Sequence, residues 1–362
     1  MSDTDPDLII SDVRARAVNA RLGRPVRTAV GSLETAPLVL IDIDTKQGVT
    51  GSAYVFGYTP LTLSALQAFL TDFGATLVDQ RAAPAEQAQA FAGQFRLLGR
   101  QGLVGMALSG IDMALWDALG KSAGRSVASL LGGRCRPLPA YDSYGIVDPV
   151  EDRDALEHSF VQGFRAIKIK IGESDLAHDI PTVRGVRDII GDHIELMVDY
   201  NQSRTAAEAV RRIEALMEFN LSWIEEPVPA EDFAGHAEVR AATGTPIQTG
   251  ENWWHAGDMA KAIAAGACDF AMPDIMKVGG VTGGLGAMGQ AEAANMPMSS
   301  HLFIEASAHV LAVTPTCHYL EYLDIAESLR REPVEVVDGT VTARGPCLGL
   351  EWDEDAVERY RI

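Results

Sequence analysis

Three carboxylates recur at one interval in this chain: Asp199, Glu225 and Glu251 stand 26 residues apart. Each closes a short β-rich run, and a helical pattern follows. One strand-plus-helix unit takes about that length in a barrel of roughly 250 residues. The interval therefore predicts that all three acids sit at one level of a parallel β/α barrel. That level is the C-terminal ends of the strands, where such barrels carry their chemistry.

The same rhythm runs from residue 137 onward. Strand candidates cover 138–142, 166–171, 194–200, 221–225, 246–250, 269–273, 296–300 and 319–323, with helical patterns between them, as at 175–190, 206–219 and 257–265. About eight such strands predict a closed barrel. Upstream, strands are expected at 8–10, 37–43 and 49–56, with Gly- and Pro-bearing loops at 26–32 and 56–59. Residues 61–130 read as helical, and 107–121 as a nearly continuous buried helix in which Asp112 and Asp117 are structural. Beyond Pro333, an Asp338-Gly339 turn predicts a hairpin that folds back on the N-terminal part. The 362 residues thus divide into an α+β domain over 1–136, a barrel over 137–324 and a returning segment over 325–362.

Charge narrows the partners. The net charge is −20, from 30 Lys+Arg against 50 Asp+Glu, which leaves no basic footprint for nucleic acid or an anionic membrane. Cys135, Cys268, Cys317 and Cys347 are far apart and form neither a disulfide framework nor a zinc site. Reduced thiols, an acidic polar N-terminus and no apolar run of membrane-span length predict a cytoplasmic protein.

The strand ends carry the chemistry. Three buried carboxylates cannot stay ionised together without a cation, and an all-oxygen set suits Mg²⁺. Lys168 and Lys170 share one face of a strand at about 6.5–7 Å. At an effective dielectric of about 20 they repel by roughly 2.4 kcal/mol, which should depress one pKa and make Lys170 a general base. Lys168 would supply the field and pair with an anionic substrate. Asp274 and His301 close successive strands, and a neighbouring carboxylate fixes an imidazole's tautomer. Glu321, on the last strand, reaches a substrate oxygen. Two bases flanking a metal suit removal of a proton α to a carboxylate, with Mg²⁺, Lys168 and a protonated Glu321 stabilising the enolate. Gly279-Gly280 and Gly283-Gly284 lack the Lys-Ser/Thr of a phosphate loop and read as a βα turn.

These segments resemble the mandelate racemase subgroup of the enolase superfamily. The likeness lies in Lys168-Ile169-Lys170, Val198-Asp199-Tyr200-Asn201, Trp223-Ile224-Glu225-Glu226-Pro227, Gly250-Glu251-Asn252-Trp253, Pro273-Asp274-Ile275-Met276-Lys277 and Ser299-Ser300-His301-Leu302-Phe303. It runs nearly end to end. The resemblance implies a (β/α)₇β modified TIM barrel under an α+β capping domain. It implies Mg²⁺ on Asp199, Glu225 and Glu251, acid-base work by Lys170 and the His301–Asp274 pair, and a homo-octamer. Lys168, Asn201, Glu321 and Ser143 would then bind the substrate or intermediate, with Lys277 an electrostatic neighbour. Val26, Val30, Phe56, Tyr58, Leu302 and Leu323 would line an apolar pocket, with Tyr144 beside it.

The sequence departs from the racemase pattern at Tyr144, Gly284, Ile304 and Tyr322, where that pattern has His, Trp, Gln and Arg. Apolar loops favour an aryl or other apolar 2-hydroxy acid and racemisation. The alternatives are an acid-sugar dehydratase on the same residues, which needs polar loops, and a non-catalytic barrel that binds organic acids.

Overall fold

A computed structural model of the chain describes residues 8–28, 31–172 and 175–362. Three antiparallel strands, β1 (Ile10–Thr28), β2 (Gly31–Thr45) and β3 (Thr50–Phe56), form the sheet of the capping domain. Within the expected loop at 26–32, residues 26–28 and 31–32 are instead strand. The β1–β2 ladder runs on through Val26↔Leu33 to Thr28↔Gly31, after a register shift between Arg21 and Val26. Gly23 and Pro25, just upstream, fall within this irregularity and not at the end of β1.

Helices α1 (Leu63–Ala75), α2 (Pro84–Gln94) and α3 (Gly102–Ala123) pack behind this sheet. Contrary to the sequence expectation, α3 is long and apolar enough to cross a membrane, and 72% of its apolar window is buried inside the fold. Its two acids are structural. Asp117 accepts from the backbone N–H of Ser52 (2.8 Å) and of Leu348 (2.9 Å). Asp112 accepts from Thr282 N–H at 3.0 Å, which places its carboxylate on the N-terminus of the barrel helix Gly280–Ala293. That contact fills the place where the glycine-rich turn would otherwise present free N–H groups.

The barrel strands β4 (Pro137–Ile146), β5 (Ala166–Lys170), β6 (Glu195–Asp199), β7 (Ile224–Glu225), β8 (Ile247–Thr249) and β9 (Phe270–Ala271) pair in parallel in chain order. The seventh strand position is reduced to the bridges Ala271↔Met298 and Asp274↔His301. β10 (Leu320–Tyr322) pairs with β4 and closes the ring. The fold is a (β/α)₇β barrel beneath an α+β cap. Alternation along β5 sends Ile167 and Ile169 into the outer core, while Ala166 packs inside with Tyr141, Met197 and Trp223. Lys168 and Lys170 stand above that inner layer on the same face.

The hairpin β11 (Val336–Val337) and β12 (Thr340–Thr342) does not return to the cap, because Thr340, Val341 and Thr342 pair with the first residues of β4. The chain after it makes the return. Val18 bridges Arg361, and the helix Glu354–Tyr360 packs on β1.

Candidate active site

Register builds the site. Lys170 pairs with Asp199, and Asp199 with Glu225, across β5, β6 and β7. Each of Asp199, Glu225 and Glu251 offers an oxygen, and these atoms lie within 4.8 Å of one another. Burial pushes Glu225 up to about 7, against the pull of Lys168 and with the push of Asp199. Three buried acids so close require a cation, and an oxygen-only donor set fits Mg²⁺ better than zinc.

Two acid-base groups flank this triad. Lys170 Nζ donates to Asp199 Oδ2 at 2.9 Å and Asn201 Oδ1 at 2.6 Å. On the other flank, His301 Nδ1 lies 2.7 Å from Asp274 Oδ2, and its Nε2 lies 3.3 Å from Glu251 Oε2. Burial works against the imidazolium, but Glu251, Glu321 and Asp274 outweigh it and raise His301 to about 9. Asp274 is itself held in place, since its Oδ1 accepts from Met276 N–H at 2.6 Å.

Two electrostatic expectations are corrected. Lys170 is raised, not depressed: burial lowers it, but Asp199 and Glu251 outweigh both burial and the like charge of Lys168. Lys168 is only 1% exposed, and its ammonium is taken up by Glu225 and by Glu321, whose Oε1 lies 2.8 Å away. Glu321 is correspondingly ionised rather than protonated. Burial raises its pKa, but Lys168 and His301, with a hydrogen bond from Ser143 Oγ at 2.8 Å, bring it down to about 2. Its other oxygen accepts from Leu302 N–H at 3.0 Å.

Above the triad lies a cavity of about 410 Å³. Lys170, Asn201, Glu251 and His301 form its polar floor, and Val26, Phe56, Tyr58, Leu302 and Leu323 its apolar wall. Leu22, Leu33, Ala36 and Ile325 also line it, together with the hydroxyl-bearing Thr28 and Thr35. Sequence reasoning missed Leu22, Leu33 and Ala36 because it did not extend the β1–β2 hairpin over the site, and Ile325 because it lies in the chain that leaves the last barrel strand. Val30 lies outside the described residues. Tyr144 does not reach the cavity wall. It is 4% exposed and donates its hydroxyl proton to the carbonyl oxygen of Ala155 at 2.8 Å. Lys277, as expected, stands beside the site: its Nζ lies 2.5 Å from Asn252 Oδ1 and 4.9 Å from the Tyr58 ring centroid. Glu226 was also missed. It accepts from Asn252 at 2.8 Å, directly next to the triad.

Backbone strain marks the same place. Asn201, Gln202, Glu226, Leu302 and Phe303 all have φ between 36° and 63° without being glycine. Such conformations persist where surrounding contacts hold side chains to a fixed aim.

Comparison with known proteins agrees with this architecture. Residues 10–132 match the family "Mandelate racemase / muconate lactonizing enzyme, N-terminal domain", and residues 151–356 match "Enolase C-terminal domain-like". A crystal structure of an enolase from Bradyrhizobium, complexed with magnesium and mandelic acid, is 53% identical with a TM-score of 0.97. That match covers 99% of this chain and 100% of the other. The 3,6-anhydro-alpha-L-galactonate cycloisomerase of Streptomyces coelicolor is 32% identical over 96% of this chain and 99% of its own length. The L-talarate/galactarate dehydratase of Salmonella typhimurium is 35% identical over 67% of this chain and 62% of its own length. With both domains matched, the chain is an enzyme of the enolase superfamily and belongs to its mandelate racemase / muconate lactonizing enzyme family.

Proposed function

We propose that the enzyme is a Mg²⁺-dependent racemase of an aryl or otherwise apolar 2-hydroxy carboxylate. The observation that carries this reading is the pairing of two acid-base groups, Lys170 and His301, on the two flanks of one carboxylate triad, under a wall of apolar side chains. Asp199, Glu225 and Glu251 would hold Mg²⁺, which supplies positive charge to the substrate carboxylate and lowers the cost of charge developing there.

One base takes the α-proton from its face, and the conjugate acid of the other returns a proton to the opposite face. Lys170 is held on Asp199 and Asn201, and His301 on Asp274, so each nitrogen has a fixed aim. Asp274 keeps the Nδ1 proton of His301 engaged and leaves Nε2 to exchange protons. Lys168, oriented by Glu321, places an ammonium beneath the reacting carboxylate. Ser143 and the Leu302 N–H hold Glu321 from its other sides. The solved relative with magnesium and mandelic acid supports this substrate class.

Dehydration of a sugar acid on the same residues is the second reading, supported by the dehydratase relative. The mainly apolar wall argues against it, because beyond the floor residues only Thr28, Thr35 and the Tyr58 hydroxyl offer hydrogen bonds there, few for a sugar acid's several hydroxyls. The experiment is incubation with Mg²⁺ and a panel of 2-hydroxy and sugar acids in D₂O. Loss of optical rotation with deuterium at the α-carbon supports racemisation. A keto-acid product supports dehydration instead.

A further inference from the structure

The strand that roofs the pocket is tied to the barrel by a guanidinium that the reaction does not use. Arg24 donates to both carboxylate oxygens of Asp142, at 2.7 and 3.2 Å, and to the carbonyl oxygen of Ser143 at 2.8 Å. Its guanidinium carbon lies 3.6 Å from the centroid of the Tyr144 ring. A planar fork that is bidentate on a carboxylate and stacked on an aromatic face is geometry that lysine cannot supply.

The receiving surface is fixed. The Asp142 side chain is 4% exposed and also accepts from Ser159 Oγ at 2.6 Å. Tyr144 Oη lies 2.7 Å from the same Ser159 hydroxyl. The departure from the resembled pattern at Tyr144 therefore builds a seat for Arg24 rather than a pocket wall.

The strap itself needs holding. The register shift between Arg21 and Val26 interrupts the β1–β2 pairing over the stretch that contains Arg24. Bulged residues lose ladder hydrogen bonds, so contacts outside the sheet must set their position. Leu22 and Val26 flank Arg24 and both line the pocket, whereas Arg24 does not. One residue beyond Val26, the backbone passes so close to β4 that a Cβ on Gly145 would lie 2.2 Å from the Arg27 carbonyl oxygen.

We propose that Arg24 is a positioning residue that determines specificity: by clamping the bulged part of β1 to Asp142 and Ser143, it holds Leu22 and Val26 against the substrate's side chain. This rests on the pocket reading given above for an apolar 2-hydroxy acid. Contacts to that side chain are equal in ground and transition states, so their loss appears in KM more than in kcat. A small acid that makes no such contact is insensitive to the clamp.

The test uses the full chain with Mg²⁺ and the variants Arg24→Met and Arg24→Lys. Amide hydrogen exchange reads the clamp, and turnover of mandelate and of lactate reads its consequence. In Arg24→Met, exchange over residues 22–28 should accelerate by about 10-fold or more, with the barrel strands unchanged. KM for mandelate should rise by about 10-fold with kcat within about 3-fold, and kcat/KM for lactate should change by less than about 3-fold. Arg24→Lys should fall between Arg24→Met and the unaltered enzyme. Unchanged exchange over 22–28 would overturn the clamp. So would equal losses on the two acids, or a fall in melting temperature with the mandelate-to-lactate ratio intact. If the unaltered enzyme turns over neither acid, the pocket reading fails on its own, and the exchange arm still decides the clamp.

Discussion

Lys170 and His301 stand on opposite flanks of one carboxylate triad: Lys170 Nζ lies 2.9 Å from Asp199 Oδ2, and His301 Nε2 lies 3.3 Å from Glu251 Oε2. A planar intermediate bound to the triad would thus meet a proton carrier on each face.

The triad's role is tested by Glu225→Gln. The substitution keeps the volume and removes one of three negative charges. Loss of an outer partner of a metal ligand costs about 10–100-fold in affinity, so loss of a ligand should cost at least that. Titration calorimetry with Mg²⁺ should show this fall, and turnover should vanish. Binding and turnover like those of the unaltered protein would remove Glu225 from the ligand set.

Lys168→Met addresses the buried ion pairs. Lys168 contacts Glu225 and Glu321, and removing it leaves two buried carboxylates without their ammonium. Breaking such a pair from one side costs about 3–5 kcal/mol. Without Mg²⁺ the variant should melt well below the unaltered protein, and saturating Mg²⁺ should narrow the gap because the cation replaces part of the lost charge. Equal melting temperatures without Mg²⁺ would contradict the pairing.

Asp274→Asn leaves the shape of the His301 pair and removes its charge. The expected loss is about 10²–10⁴-fold in the proton transfer that His301 performs, the range for a general base held in the wrong state. Mg²⁺ affinity should not change. Rates within a few-fold of the unaltered enzyme would mean that Asp274 only caps the turn at Met276, whose N–H it also accepts.

Much of this site was legible in the sequence, and what failed shares a physical cause. Asp199, Glu225, Glu251, Lys170 and His301 were placed by spacing, because one residue per strand end survives any uncertainty about strand length. The strands themselves did not match their sequence limits. β7 and β9 shrink to two residues each, and the seventh position to isolated bridges. Barrel curvature and side-chain packing set those limits, and neither is written in a local pattern. The hairpin over β1 and β2 was missed because Gly23 and Pro25 signal a turn locally, whereas the pairing only shifts register there and resumes from Val26 to Thr28 against Leu33 to Gly31. The charge states of Lys170 and Glu321 failed for a related reason. The spacing on one strand shows only the two lysines to each other, whereas in the fold Lys170 faces Asp199 and Glu251, and Lys168 faces Glu225 and Glu321.

Asp112 gives a prediction away from the active site. Burial raises its pKa from 3.8 to about 7, against the hydrogen bonds from Thr282 and Val281. The folded value lies above the unfolded one, so the native state binds this proton more tightly. The stability it brings is full below pH ~4 and is lost as pH rises through ~7. The loss is at most about 4 kcal/mol at 1.36 kcal/mol for each unit of difference. Asp112→Asn should therefore raise the melting temperature at pH 8 and leave it nearly unchanged at pH 4. A variant less stable at pH 8 would mean that the charge on the helix N-terminus outweighs its burial.

The central claim is that two groups serve the two hands of one substrate. It is tested most directly by α-proton exchange in D₂O with each enantiomer of a mandelate-like acid, Mg²⁺ present, in His301→Asn and Lys170→Ala. Neither variant should racemise. His301→Asn should still exchange the α-proton of one enantiomer through Lys170 and not that of the other, and Lys170→Ala should show the mirror pattern. Loss of all exchange on both enantiomers in variants that remain folded and bind Mg²⁺ would contradict the two-base account, as would exchange of a single hand by the unaltered enzyme.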